Sequence, residues 1–352
     1  MQRSKWLGIL IVMMLVAVVA LPLAPAAAQE DVAQRNKATV TDAIAKINAG
    51  DLDGYFAMFA DPFQSNEGEA TLYDENVADW KLFGESLYGA VPDLVTTADV
   101  IIAQGDWVAV ETTSSGTFTE PFTMFGLDPT GEAVSWTEMD FYHFNADGKL
   151  DITWAYADPT VGMPAQLGMI PPMDDGGNSG PSDTPLSQPV GYQLLGADEL
   201  AASYASGNTE QSLAQFQANF DIGLGGDTSA FYTAPYISWE SGTPYERTSE
   251  AGGDEFFQAI ANAMPDVTAS LDVVVAEGDW VAAIGTITGT STNELNFGGT
   301  DTMPATGQSM VWQIGIIDHY NADGLITEEF VETDPSPMLT ALGLMPPMDG
   351  GQ

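Results

Sequence analysis

The chain has 352 residues, 45% of them hydrophobic, which is enough apolar material for two domains of ordinary size and excludes global disorder. Fifty acidic against eight basic side chains give a formal charge of −42. That excludes nucleic acid and anionic membrane surfaces as partners, because both are held by Lys and Arg. The absence of cysteine excludes disulfides and thiolate chemistry, and two histidines leave little for a histidine-based metal centre.

In chain order, Arg3 and Lys5 precede an apolar run from Trp6 to Leu21, and Ala26-Ala27-Ala28 follows. A basic start, an apolar middle and a small-residue exit predict a secretory signal peptide over 1–28, cleaved after Ala28. The expected location is therefore secreted, periplasmic or elsewhere in the cell envelope, with no membrane contact after cleavage. The acidity is then read as a solvated surface or as adaptation to a saline habitat. Calcium binding is the sharper alternative, but no D-x-[DN]-x-[DN]-G loop with its closing Glu is present.

Gln34 to Ala49 carries Val40, Ala43, Ile44 and Ile47 at helical spacing, and Gly50-Asp51 stops it. Shorter helices are predicted over Tyr55 to Phe59 and Asp79 to Leu87. After Pro92 the character changes. Leu94 to Ile102, Trp107 to Thr119, Val134 to Phe144 and Leu150 to Ala157 are rich in β-branched and aromatic residues and read as strands. Gln104-Gly105-Asp106 and Asn145-Ala146-Asp147-Gly148 read as hairpin turns. Helices followed by a meander predict an α+β domain, with N-terminal helices packed on one face of a curved antiparallel sheet.

The same pattern then recurs. Ala90 to Thr117 aligns without a gap to Ala263 to Thr290, and half of the positions are identical. Asn145 to Gly148 matches Asn321 to Gly324, and Leu167-Gly168 matches Leu342-Gly343, each followed by a Met-Pro-Pro-Met segment or a close variant. So long a period is a duplicated domain rather than a solenoid repeat. The predicted layout is domain one over 30–173, a Gly/Ser/Pro linker over 174–193 and domain two over 194–349.

Four features of domain one, in this order, resemble the SnoaL-like polyketide cyclases, also called ester cyclases, of the nuclear transport factor 2-like superfamily. They are Gly105-Asp106-Trp107-Val108-Ala109; Phe125-Gly126-Leu127 before Pro129-Thr130-Gly131; the aromatic strand Met139 to Phe144 running into Asp147-Gly148-Lys149 and Trp154; and the closing Gln166-Leu167-Gly168. Domain two keeps Gly278 to Ala282, Ala305-Thr306-Gly307, Asp323-Gly324 and Leu342-Gly343. The resemblance implies a cone-shaped apolar cavity in each domain and a small hydrophobic ligand. It also implies sheets that pair, so that the tandem forms an internal pseudo-dimer. Fold alone does not separate a binding protein, a cofactor-free cyclase or isomerase, and a protein-interaction module.

The family chemistry is removal of a proton α to a carbonyl by a carboxylate in an apolar cavity, without metal or organic cofactor. The resemblance places the family's base at Ala155 and Val331, and its assisting histidine near Asp140 and Ile316, so the expected groups are missing from both copies. The replacements considered are Glu138 and Asp140, which alternate with Trp136 and Tyr142 on one strand face, and Glu329 in domain two. Expected pocket residues are Asn66, Trp136, Trp154, Tyr156 and Asp158, with Trp239, Trp312 and Asp334 in the second copy. Asp158 and Asp334 each precede a proline and equally read as turn formers. His143 and His319 read as surface residues.

Overall fold

The computed structural model describes residues 26–67, 72–159, 161–169, 190–224, 226–248, 251–296 and 302–343. Most of the predicted signal segment and linker, and most of both Met-Pro-Pro-Met segments, lie outside these. In domain one, α1 (Ala26–Asn48), α2 (Leu52–Phe56) and α3 (Val77–Ala90) accompany β1 (Phe59–Glu67), β2 (Tyr73–Glu75), β3 (Val95–Gln104), β4 (Trp107–Thr117), β5 (Ala133–Phe144) and β6 (Leu150–Tyr156), with a closing turn α4 (Met163–Gln166). Domain two has α5 (Ala197–Tyr204), α6 (Thr209–Phe220), β7 (Tyr232–Glu240), β8 (Thr243–Arg247), α7 (Ala251–Ala263), β9 (Thr268–Glu277), β10 (Trp280–Thr290), β11 (Ser309–Tyr320), β12 (Ile326–Glu332) and α8 (Ser336–Ala341).

Each domain forms a six-stranded sheet of the same topology, in the order β2-β1-β6-β5-β4-β3 and β8-β7-β12-β11-β10-β9. The α+β class and the tandem follow the sequence reading. The expected antiparallel sheet is corrected to a mixed one, because β1 joins β6, and β7 joins β12, in parallel. These strands escaped the sequence reading because Asp61-Pro62 and Pro235 lie inside them and read as breakers.

Strand alternation divides each sheet into two faces. One face of the first sheet carries Val108, Val110, Tyr142 and Phe144 and packs under Val40 and Ala43 of α1 and Phe56 of α2. At its other end Trp136 and Val134 pack with Leu87 and Ala90 of α3. In the curved sheet that the resemblance implies, this helix-covered face is the concave one. The second sheet is covered likewise, by Phe216 of α6 over Val281 and Tyr320 and by Ile260 of α7 near Trp312.

The opposite faces meet each other. Ile102, Ala109, Met139, Phe141 and Tyr156 of the first sheet form one buried cluster with Val275, Trp280, Ala282, Ile317 and Phe330 of the second. The layer order is helices, sheet, sheet, helices. Contacts across the join come in matched pairs. The Ala103 amide donates to Glu277 at 2.8 Å, and the Ala276 amide, its counterpart in the repeat, donates to Gln104 at 3.1 Å. Thr137 donates to Glu332 at 2.5 Å, and Tyr156, the counterpart of Glu332, donates to Gln313, the counterpart of Thr137, at 3.4 Å. Such reciprocity is the signature of a two-fold interface. Lys37 of α1 adds an ion pair to Glu277 at 2.8 Å and lies 3.6 Å from the ring centre of Tyr204.

Candidate functional sites on the concave faces

In β5 the alternation puts Trp136, Glu138, Asp140 and Tyr142 on the concave face, as the sequence spacing predicts. Asp140 pairs across the sheet with Val110 and Ala155. The residue is 8% exposed. Burial raises its pKa to about 7, and a hydrogen bond with Tyr142 opposes part of that rise. Tyr142 is hydrogen-bonded in turn to Tyr55 of α2. Burial, then the charges of Asp140 and Glu138, push both phenols upward, so they stay protonated donors at any working pH. Glu138 and Ala155 are only half-buried, unlike Asp140 between them. Trp136 is 7% exposed and forms the apolar wall beyond Glu138.

Ala155, where the resemblance puts the family's base, is thus the direct cross-strand neighbour of Asp140, and such neighbours have Cβ atoms roughly 5 Å apart. The carboxyl of this chain stands one strand over from the family position and addresses the same part of the concave face.

In domain two the concave positions of β11 are Trp312, Ile314, Ile316, Asp318 and Tyr320. Asp318 pairs with Glu329 of β12, and their side chains are hydrogen-bonded to each other. The Tyr232 hydroxyl donates to Glu329 at 3.0 Å, and the Tyr320 hydroxyl donates to Asp318 at 3.2 Å. Burial raises the pKa of Glu329, while Tyr232 and the nearby Arg247 hold it back. Two carboxyls in hydrogen-bonding contact share one proton more readily than they carry two charges. Asp318 occupies the position of Tyr142, and Ile316 that of Asp140, so the acid pair lies one alternation step further along the strand.

Four of the expected pocket residues lie on the opposite face. Trp154 pairs with Phe141, Tyr156 with Met139, Asn66 with Trp154, and Trp239 with Phe330. All belong to the face between the two sheets. Trp239 lies flat on Phe330 at 5.6 Å and donates to Glu328 at 2.8 Å. The error is one of parity: a shift of one residue changes the face, and β1 and β7 carry irregularities that spacing alone does not reveal. Trp312 is concave but committed to packing, 6.5 Å from Phe257 and donating to Thr333 at 2.6 Å. Asp334 accepts the Ser336 amide at 2.8 Å, and the Asp158 carbonyl accepts from Gly162 at 2.7 Å, so both act in the turns after their strands.

The histidines are also corrected from surface to partly buried positions. His143 lies 5.0 Å from Trp107 and 2.6 Å from Asp151. His319 stacks on Trp280 at 4.2 Å, and burial lowers its pKa to about 4. Among the described residues no group of three or more His, Cys, Asp or Glu side chains is arranged to hold a metal. An open depression of about 610 Å³ lies at the ends of β3, β4 and β5, lined by Asp93, Val95, Ser135 and Gln166, and includes none of the carboxyls above.

Comparison with known proteins finds two family-model matches, one in each domain. The family model described as SnoaL-like polyketide cyclase matches residues 37–167, and one described as SnoaL-like domain matches residues 226–329. No curated protein matches the chain. Among solved structures, AclR from Streptomyces galilaeus is 27% identical over 39% of this chain and 83% of its own, with a TM-score of 0.35. IdmH from Streptomyces antibioticus is 24% identical over 38% of this chain and 99% of its own, at 0.32. SalBIII, described as an epoxide hydrolase/cyclase-like enzyme in pyran ring formation in salinomycin, is 22% identical over 35% and 89%, at 0.29.

Proposed function

Since the chain belongs to the SnoaL-like family, as two such domains in tandem, we propose that domain one is a cofactor-free proton-transfer site for a small, largely apolar carbonyl compound. The observation that carries this reading is Asp140: a buried carboxyl with its pKa near 7, on the concave face, beside protonated phenols. A general base works best with a pKa near the working pH.

In the proposed reaction the Asp140 carboxylate removes a proton from the carbon next to a carbonyl. The C–H electron pair moves onto the carbonyl oxygen, which the Tyr142 or Tyr55 hydroxyl stabilises by donating a hydrogen bond. The enolate carbon then attacks a second carbonyl of the same molecule, and Asp140 returns the proton to the new alkoxide. Without a second carbonyl in reach, the proton returns to carbon and the outcome is isomerisation.

The test is deuterium incorporation. A panel of small apolar 1,3-dicarbonyl compounds is incubated with the full chain in D2O, and α-deuterium is read by mass spectrometry above the buffer rate. Asp140→Asn is expected to remove the excess. Excess exchange that survives this substitution overturns the assignment.

A second reading, binding without turnover, is supported by Ala155 and Val331, which put aliphatic groups where the family has its base. Native mass spectrometry of protein purified from its own host would then find one or two retained hydrophobic molecules. The third reading, an interaction module, requires an apolar sheet face free to dock a partner. Here those faces are buried against each other, which counts against it. We further propose that the protein acts outside the cytoplasm as an intramolecular pair, after loss of residues 1–28. N-terminal sequencing of the native protein checks the cleavage after Ala28.

A further inference from the structure

The join between the two sheets is symmetric in its framework and asymmetric in two acids. Glu111 pairs with Met139, and Met139 with Tyr156, giving one row across β4, β5 and β6. The matching row in domain two is Ile284, Gly315 and Glu332. Gly315 is needed there: a Cβ at this position would lie 2.8 Å from the Met139 sulfur and 3.1 Å from the Tyr156 ring. The rows of the two domains therefore press directly on one another. Glu111 stands where the repeat has Ile284, and Glu332 stands where it has Tyr156. Each acid stands where the repeat has a residue with no carboxyl, and both lie at the join.

Both are 2% exposed. Thr137 donates to one oxygen of Glu332, while Oε2 of each glutamate is buried without a hydrogen-bond partner. Among the described residues neither is in an ion pair. The charges that face Glu111 are Glu332 foremost, then Asp99 of β3 and, through the sheet, Asp140 and Glu138; Asp158 faces Glu332. All are acids. A buried carboxylate surrounded only by acids is costly, and protonation removes that cost.

We propose that Glu111 and Glu332 form a proton-dependent clasp between the two domains, tightest when both carry a proton and loosened as each ionises. The sign follows from the direction of the shifts. Burial raises both groups, Glu332 from 4.5 to about 7. The clasp is strongest below the ordinary glutamate range and weakens as pH rises through about 7. From Glu332 alone, docking weakens about thirtyfold between pH 5.5 and 8.5. The clasp holds whether or not Asp140 is catalytic.

The test is hydrogen–deuterium exchange of the full chain at pH 5.5 and 8.5, corrected for intrinsic rates, on peptides from β5, β11 and β12. The wild type is expected to lose about thirtyfold protection at the higher pH. Glu332→Gln, which keeps size and the Thr137 contact, is expected to keep most of its protection at the higher pH, and the same change combined with Glu111→Ile, which installs the repeat's own residue, is expected to keep all of it. Equal wild-type protection at the two pH values overturns the clasp. So does a pH effect that persists in both variants or vanishes only in Asp140→Asn. Should both variants fail to fold, wild-type scattering decides: an unchanged radius of gyration from pH 5.5 to 8.5 overturns it.

Discussion

The two domains share one fold and one sheet order yet spend their buried polar groups differently. On its concave face domain one places a single deep carboxyl among the described residues, Asp140, among phenols on the middle of β5. Domain two has Ile316 at that position and an Asp318–Glu329 pair one step along. A lone buried acid with donors around it is poised to take a proton. An acid pair that shares a proton holds a negative charge that Tyr232, Tyr320 and Arg247 already satisfy. Duplication has thus preserved the scaffold and separated the chemistry, and Asp140 is the sharper of the two candidates.

The largest effect that could break this comparison is on turnover. Asp140→Asn should lower proton transfer by about 10²–10⁴-fold, the usual worth of a positioned general base, whereas Glu329→Gln should leave it within about threefold. The rate should rise with pH through about 7 as Asp140 loses its proton. Stability runs the other way. A raised carboxyl pKa favours folding at low pH and costs stability once the group ionises. Asp140→Asn should therefore raise Tm at pH 8 by about 5 °C, raise it less than half as much at pH 5, and change it little below the ordinary aspartate range. Equal rate losses for both variants would erase the distinction between the domains.

How much of this was legible in the sequence follows from where each signal is stored. The duplication, the α+β order and the concave run Trp136-Glu138-Asp140-Tyr142 are local periodicities, and period-2 alternation in an uninterrupted strand survives into the structure. Asn66 and Trp239 were misplaced because their faces depend on register across a parallel pairing that the prolines in β1 and β7 disguise, and Trp154 and Tyr156 because an irregularity at His143 and Phe144 shifts the register of the β5–β6 hairpin. Asp318 is visible as an acid in an otherwise apolar strand, but its pairing with Glu329 is set by the bulge at His319 and Tyr320. Glu111 and Glu332 are far apart in sequence. Their one sequence signal is asymmetry between the repeats, an acid opposite Ile284 and another opposite Tyr156.

A second pair of predictions separates the domains by histidine. His319 is buried beside Trp280, and its pKa falls from 6.5 to about 4. The unfolded chain therefore binds a proton that the folded chain refuses, and stability falls as pH drops from about 6.5 towards 4. His319→Gln should remove up to about 3 kcal/mol of that acid-side loss in pH-dependent thermal melts. The matching His143→Gln instead removes a 2.6 Å contact with Asp151. Next in size, Gly315→Ala should cost about 1–3 kcal/mol by crowding Met139 and Tyr156, the usual range for overpacking. The reverse change in the first repeat, Met139→Gly, leaves a void instead, so combining the two tests whether the rows press on one another.

The smallest effect concerns the tryptophans that follow the Gly-Asp turns. Trp280 is fully buried, donates to Ser203 at 2.8 Å and stacks on His319. Trp107, its counterpart, is half-buried and lies 5.0 Å from His143 at an interplanar angle of 55°. Replacing Trp280 by Phe removes a buried hydrogen bond, while the Ser203 hydroxyl keeps its 2.7 Å bond to the Leu200 carbonyl, at a cost of about 1 kcal/mol. Trp107→Phe loses no described hydrogen bond and should cost less than about 0.5 kcal/mol. Denaturant melts of the two variants measure the difference directly. Equal costs would mean that α5, which carries Ser203, is not anchored to domain two through Trp280, and that its contacts with domain one, such as the Tyr204 hydroxyl accepting the Ile101 amide at 3.1 Å, hold it instead.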